Sequence, residues 1–300
     1  MSQVWVAGEV LIDLIPNGAD RTPIIGGGPA NTAKALAKLG IDTQFIDGIS
    51  SDQYGQMAKT ELKTSGVKLD YVKYSDKPTC LAIVSLNESG SATYEFVIEN
   101  TATFDFTSTW LPGPKTEQPS LLHIGTLATV LEPGASALFE WTQSVAKVAP
   151  IVFDPNIRPA VISDRMQYVT QVERWVAISS AVKVSDEDIK WLYPSIGVEQ
   201  IINDWLTKGP SLIVVTHGDK GLTGYRKNER VSVDAVKVQV ADTVGAGDTV
   251  GAILVEAMEE DGLEDLTGAR LEVMLKRAAK AAAITVSRVG ANPPTSEELE

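Results

Sequence analysis

An α/β fold, with a mostly parallel sheet covered by helices on both faces, is the architecture this sequence predicts. Apolar runs of strand length recur along the chain, and stretches of helical periodicity separate them. Size agrees, because 300 residues suffice for one large α/β domain, or a domain carrying a smaller appendage, with a substantial buried core.

The strand-like runs are 4–7, 121–124, 151–153, 182–184 and 212–216, each short, apolar and bounded by turn residues. A first helix is expected to start at Pro29, since proline is tolerated in a first turn, and to stop at Gly40. A second should run from Asp52, a good N-cap, to Gly66. The stretch 69–106 departs from this alternation, with consecutive strand-like runs and a turn at 87–90. It reads as a small β insertion, either a lid over the carboxyl edge of the main sheet that invites pairing with a second subunit, or a structural hairpin without function. Helical spacing returns at 133–148 and 165–177, where Trp141 and Trp175 are assigned to the core. A last run, 236–240, reads as a strand leading through a glycine-rich turn into a helix that ends near Glu259. The alanine-rich stretch 268–286 should form a helix packed closely on its neighbours or on a flat ring.

Bulk properties narrow the function classes. A net charge of −13 disfavours binding to nucleic acid or to an anionic membrane, so an anionic substrate needs a locally positive site. The single cysteine, Cys80, excludes an intramolecular disulfide and a four-cysteine zinc site and fits a reducing cytoplasm. The amino terminus has no basic segment followed by an apolar run, and no apolar stretch approaches the roughly 20 residues a bilayer requires. A soluble, cytoplasmic protein is the expectation.

Chemistry concentrates in four segments. In Asp242-Thr-Val-Gly-Ala-Gly-Asp-Thr249, a glycine turn opens a helix, so the amides of Gly245, Ala246, Gly247 and Asp248 can point at a phosphate reinforced by the helix dipole. Asp248 is there either a general base for an attacking hydroxyl, ionised at neutral pH, or a helix N-cap. Gly26-Gly-Gly-Pro-Ala-Asn31 opens the first helix, and with Asp13 it offers the short-range hydrogen-bonding groups of a polyhydroxylated ligand, or is only a tight turn. Asp154-Pro-Asn-Ile-Arg-Pro159 brings Arg158 to a sheet edge, where it can neutralise phosphate oxygens or pair with Asp154. Ser185-Asp-Glu-Asp188 places three acids at a helix start, suited to the dipole and able to hold the water shell of Mg²⁺. Thr216-His-Gly-Asp-Lys-Gly221 can approach a nucleotide through its backbone. His123 and His217 lack metal-ligand spacing, and no P-loop motif is present.

In this order, the segments resemble those of the ribokinase-like carbohydrate kinases, the phosphofructokinase B family, across almost the whole chain. Asp242-Thr-Val-Gly-Ala-Gly-Asp248 is similar to that family's carboxy-terminal signature and Gly26-Gly-Gly-Pro-Ala-Asn31 to its amino-terminal one. Within the family, Gly8-Glu-Val-Leu-Ile-Asp-Leu-Ile-Pro16 is most similar to the fructokinase branch. The resemblance implies a Rossmann-like three-layer α/β/α sandwich as a single domain over 1–300, with a β lid from about 10–24 and 69–106. It implies ATP and Mg²⁺ as cosubstrates and a homodimer through the lids.

Carried over residue by residue, it makes Asp248 the base, with Gly245, Ala246 and Gly247 beside it. Asp13, Gly27, Gly28 and Asn31 would bind the sugar, Tyr94 and Phe96 would cover it or pack between the lids, and Arg158 would face the sugar or the γ-phosphate. Thr216, Gly218, Gly221, Ala279, Ala283 and Asn292 would line the nucleotide. Asp188 matches the acid of a magnesium-binding motif whose leading asparagine is here Ser185. Asp242, Val244, Thr285 and Gly290 match a monovalent cation (K⁺) site, and Pro294 stands where relatives commonly carry serine. If Glu99 faces the pocket it would repel an already phosphorylated substrate, which favours a neutral sugar. The expected reaction is phosphorylation of D-fructose at its 6-hydroxyl. Ribokinase, 2-keto-3-deoxygluconate kinase and nucleoside kinase are alternatives within the class, and a non-catalytic sugar- or nucleotide-binding regulator or a nicotinamide-dependent oxidoreductase outside it.

Overall fold

The structure, a computed structural model, describes residues 3–18, 20–86, 92–114 and 117–300. β1 (Val4–Ala7) is followed by the antiparallel pair β2 (Leu11–Asn17) and β3 (Asp20–Gly26), then by α1 (Gly28–Lys38) and β4 (Thr43–Ile46). β5 (Gly48–Ser50), α2 (Gln53–Thr64) and β6 (Lys73–Ser75) lead to a second antiparallel pair, β7 (Leu81–Leu86) and β8 (Ala92–Val97). The alternation then resumes with β9 (Leu121–Gly125), α3 (Gly134–Val145), β10 (Ile151–Asp154), α4 (Arg165–Ile178) and β11 (Ala181–Ser185). It closes with α5 (Asp186–Leu192), α6 (Val198–Trp205), β12 (Leu212–Thr216), β13 (Leu222–Arg226), β14 (Glu229–Val233), α7 (Ala246–Asp261) and α8 (Gly268–Val286).

The main sheet has eight strands in the order β14-β13-β12-β11-β10-β9-β1-β4. Strands β12 to β4 along this row are parallel, and β13 and β14 form an antiparallel edge. From β1 the chain first moves out to β4 and later returns to β9 on the other side of β1. That reversal opens a crevice at the carboxyl ends of β1 and β9, where open α/β sheets take ligands.

Period-two alternation gives the sheet two apolar faces. Val4, Val6 and Phe45 pack with Leu36 of α1, Leu62 of α2 and the inner sides of α7 and α8. Trp5, Ala7 and Ile46 turn the other way, to Leu138 of α3, Trp175 of α4, Ile189 of α5 and Trp205 of α6. Trp141 and Trp175 are core residues, and each indole N–H reaches a backbone carbonyl, Pro112 O at 2.8 Å and Thr129 O at 2.9 Å. In α8, Leu271, Leu275, Ala278 and Ala281 make a buried stripe against α7, and its small residues allow that close approach.

A second sheet, ordered β3-β2-β7-β8, joins the early hairpin to the insertion; the expected turn at 87–90 lies outside the described residues. One sequence expectation fails. Residues 236–240 pair with no strand among the described residues, and Val236, Val238 and Val240 are exposed. An apolar alternation makes a strand only where a neighbouring edge takes up its hydrogen bonds. Here the segment is instead tied off at its end, where the amides of Ala241 and Asp242 donate to Val286 O. No helix among the described residues is long and apolar enough to cross a membrane.

Asp52 caps α2 and also ties it to the approach to β7, accepting from Gly55 N at 2.8 Å, Thr79 N at 2.9 Å and Thr79 Oγ1 at 2.6 Å. Asp52→Ala should lower stability by about 1–2 kcal/mol, read as a lower urea midpoint with an unchanged slope.

Candidate active site

A cavity of about 590 Å³ occupies the crevice at the carboxyl ends of β1 and β9. Its walls come from the second sheet (Asp13, Phe96), the start of α1 (Gly27, Gly28, Asn31), the loops after the central strands (Asn156, Arg158) and the turn into α7 (Gly245, Gly247, Asp248). The sugar-binding set expected from the sequence therefore meets in one place, with the proposed base. The Tyr94 side chain lies outside the described residues. β2 serves both sides: Leu11, Asp13 and Ile15 line the cavity, whereas Ile12 and Leu14 join the core.

Asp248 lies in the first turn of α7, after Gly245 in the left-handed region at φ 80°. The first intrahelical bond runs from Thr249 N to Gly245 O at 2.9 Å, so the amides of Gly247 and Asp248 precede the ladder and suit an anion. Ala246 N instead makes a long bond to Thr243 O at 3.4 Å, so the donor set is narrower than the four amides read from sequence. The Asp248 carboxylate is 8% exposed, and its Oδ2 accepts from Asn31 Nδ2 at 2.9 Å. Burial pushes its pKa up to about 6, against the lowering influence of Lys183, Asn31 and Arg158. It is thus still largely ionised at neutral pH, yet a stronger base than the helix terminus alone suggests.

Lys183, which sequence reading missed, stands inside the otherwise apolar β11 and donates to Asp154 Oδ2 at 2.8 Å, both side chains being buried. Asp154 therefore pairs with Lys183 rather than with Arg158. A Cβ placed on Gly247 would lie 2.9 Å from Lys183 Nζ, so the absent side chain at Gly247 lets the turn close over the ammonium. Burial works against the ammonium, but the carboxylates of Asp154 and Asp248 more than offset it and raise its pKa. A lysine within a buried strand was the signal available in the sequence. Arg158 is exposed; its backbone N–H donates to the Tyr168 hydroxyl at 3.1 Å, and among the described residues its guanidinium donates to the backbone carbonyls of Ile157 at 3.1 Å and Asn156 at 3.5 Å, which leaves its face for an anion.

Two further carboxyls belong to the cavity. Asp13 is pushed up to about 6 by burial, with Arg158 lowering it and Asp242 raising it. Glu9, also missed, is pushed up to about 7 by burial, against its backbone hydrogen bonds. Its signal was an acid one glycine beyond an apolar strand.

Of the remaining expected residues, Val244 lines the cavity. Thr216 ends β12, Gly218 and Gly221 follow it, and Ala279 and Ala283 are buried on α8; none lines the cavity. Asn292 accepts from Lys38 Nζ at 2.8 Å, tying the carboxy-terminal segment to the end of α1. Asp242 joins two of the expected cation ligands, accepting from Val244 N at 3.1 Å and Gly290 N at 2.9 Å, and Thr285 reaches Thr249 at 3.0 Å. These segments would offer mainly carbonyl oxygens, a donor set suited to K⁺. Asp188 completes a capping box with Ser185 and accepts from Ile157 N at 3.1 Å. The described residues contain no cluster of three or more His, Cys, Asp or Glu able to hold a metal.

The model of the pfkB family of carbohydrate kinases matches residues 1–298. The chain is 35% identical over 265 residues to a fructokinase of Rhizobium leguminosarum bv. trifolii, covering 87% of this chain and 81% of that protein. It is 32% identical over 310 aligned positions to probable fructokinase-4 of Arabidopsis thaliana, covering 98% and 94%. Among solved structures, the Vibrio cholerae fructokinase double mutant with fructose, ADP and potassium ion superposes with a TM-score of 0.87 at 27% identity, covering 100% of this chain and 97% of that one. The Xylella fastidiosa fructokinase with bound ATP superposes with a TM-score of 0.92 at 24% identity over 99% and 96%, a likeness of fold.

Removing one member of the Lys183–Asp154 pair strands a buried charge. Lys183→Met should destabilise the protein by about 3–5 kcal/mol, and adding Asp154→Leu should recover most of that loss in a chemical denaturation series.

Proposed function

The chain belongs to the pfkB family of carbohydrate kinases, and on that basis we propose that it is a fructokinase, transferring the γ-phosphoryl group of ATP to the 6-hydroxyl of D-fructose. That it is an ATP-dependent sugar kinase follows from the family; the choice of sugar rests on the fructokinase relatives and on the site. One observation carries it: Asp248, a buried carboxylate with its pKa raised to about 6, shares one cavity with Asp13, Asn31 and Arg158.

The residues divide the work as follows. Asp13, Gly27, Gly28 and Asn31 take the sugar hydroxyls and aim one of them at Asp248. Asn31 also holds the carboxylate through Oδ2, leaving Oδ1 to accept the proton of the attacking hydroxyl. Phosphoryl transfer passes through a loose transition state, so the proton can leave late, and positioning and charge stabilisation do most of the catalysis. The amides of Gly247 and Asp248, the Arg158 guanidinium and the Lys183 ammonium oppose the charge on the equatorial oxygens. Mg²⁺, when bound, would shield the nucleotide phosphates, with Asp188 facing its water shell. Thr216, Gly218, Gly221, Ala279, Ala283 and Asn292 would border the nucleotide, and the segments of Asp242, Val244, Thr285 and Gly290 a potassium ion. Glu99 lies exposed in the turn after β8 and outside the cavity lining, so it has no bearing on the charge of the acceptor. A cytoplasmic setting, where ATP is supplied, fits the buried free thiol of Cys80. β8, an edge strand that ends in the exposed Val97, supports a homodimer through the second sheet acting as lid.

Assaying ATP consumption on fructose, ribose, 2-keto-3-deoxygluconate and a nucleoside should give the highest kcat/KM for fructose; an inert fructose beside an active competitor overturns the substrate assignment. Asp248→Asn should lower kcat by about 10²–10⁴-fold and leave fructose binding, measured by calorimetry, largely intact. Since Asp248 works only as the carboxylate, kcat/KM should fall as the pH drops through about 6 and level off roughly one to two pH units above it. That acid limb belongs to the coupled carboxyls of the site, and the residual activity of Asp248→Asn should lack its main component.

A further inference from the structure

Thr126, the first residue after β9, has φ 59°. A β-branched residue in the left-handed region is sterically disfavoured and persists only where its surroundings over-determine it, often beside a ligand. Glu9 supplies that constraint. Its carboxylate, 2% exposed at the end of β1, accepts from the Thr126 hydroxyl, from Leu127 N at 3.3 Å and from Ala128 N at 3.1 Å. The turn 126–128 is therefore fastened across the crevice between β1 and β9, by three hydrogen bonds to one acid.

The outer side of this turn faces the acceptor pocket. A Cβ added to Gly28 would lie 2.7 Å from Thr126 Cγ2 and 3.2 Å from Asp248 Oδ1, so the threonine methyl and the base border the same small volume. Leu127 lines the cavity, and Thr126 stands beside Gly28 at its edge. A glycine at 126 would adopt this backbone without strain but would supply no methyl, which gives the strain a purpose at this position.

We propose that Glu9 is a positioning residue for the acceptor sugar: it clamps the 126–128 turn so that the Thr126 methyl and Leu127 form the wall that holds the sugar against Asp248. Glu9 acts through Thr126 and not on the reacting atoms. The inference rests on the sugar-kinase reading of the same cavity.

The test is steady-state kinetics of Glu9→Met, Glu9→Gln and Thr126→Val, with fructose and ATP varied separately and thermal melting measured alongside. Glu9→Met should raise KM for fructose about tenfold or more, with KM for ATP changed less than about twofold. Glu9→Gln keeps an acceptor oxygen in place and should recover much of the fructose KM. Thr126→Val keeps the shape, loses the donated hydrogen bond and should fall between them. Should Glu9→Met fail to fold, Thr126→Val and Glu9→Gln carry the comparison. The proposal is overturned if fructose KM is unchanged in the variants that fold, or if fructose and ATP KM rise together in step with a lost melting temperature. A wild type that does not phosphorylate fructose would refute the substrate assignment alone, and the same ratios would then be read with whichever sugar of the panel it does phosphorylate.

Discussion

A carboxylate held nearly out of water, yet kept ionised, is the constraint on which the arrangement of this protein turns. Asp248 sits where the sheet's carboxyl edge meets the first turns of α1 and α7. Burial alone would neutralise it, and its charge survives because Asn31 donates to it and Lys183 lies close by. Lys183 is equally costly to bury, and Asp154 in turn holds it. The result is a chain of alternating charges across β10, β11 and α7, in which each member stabilises the next.

Such a chain requires backbones to come close, and the glycines mark where they do. At Gly247 the missing side chain makes room for the Lys183 ammonium; at Gly28 it makes room for Thr126, Asn156 and Asp248 together. The two glycine clusters, far apart in sequence, thus answer one steric demand from opposite sides of one cavity. Gly26 and Gly27 are crowded by other neighbours, since a Cβ added to each would meet Asp13 Oδ2 and Glu9 O respectively, so three consecutive positions leave no room for a side chain.

The parallel sheet provides the rigidity behind the site, with its two apolar faces locked by α1, α2, α7 and α8 on one side and by the tryptophan-rich helices α3, α4 and α6 on the other. The second sheet supplies the remaining wall through β2, whose alternate residues divide between core and cavity. A relation between two sheets of this kind brings Asp13 and Phe96 to the same cavity as Asp248, with Phe96 also packed against the core.

The elements set by local preferences were legible in the sequence. The run 4–7, the cap at Asp52 and the helix 268–286 follow from apolar spacing, capping and helical propensity, and the structure places them where those preferences put them. The residues 236–240 have the same local pattern but no strand partner, and pairing is a property of neighbours rather than of a segment. The same division holds at the site. The two glycine signatures and Asp248 could be read directly, because a glycine turn opening a helix is a local anion site. The partners of Glu9, Lys183 and Asp154 could not, because a buried charge is tolerated only through groups that the sequence places tens of residues away, and only the packing of β1, β9, β10, β11 and α7 decides which groups those are.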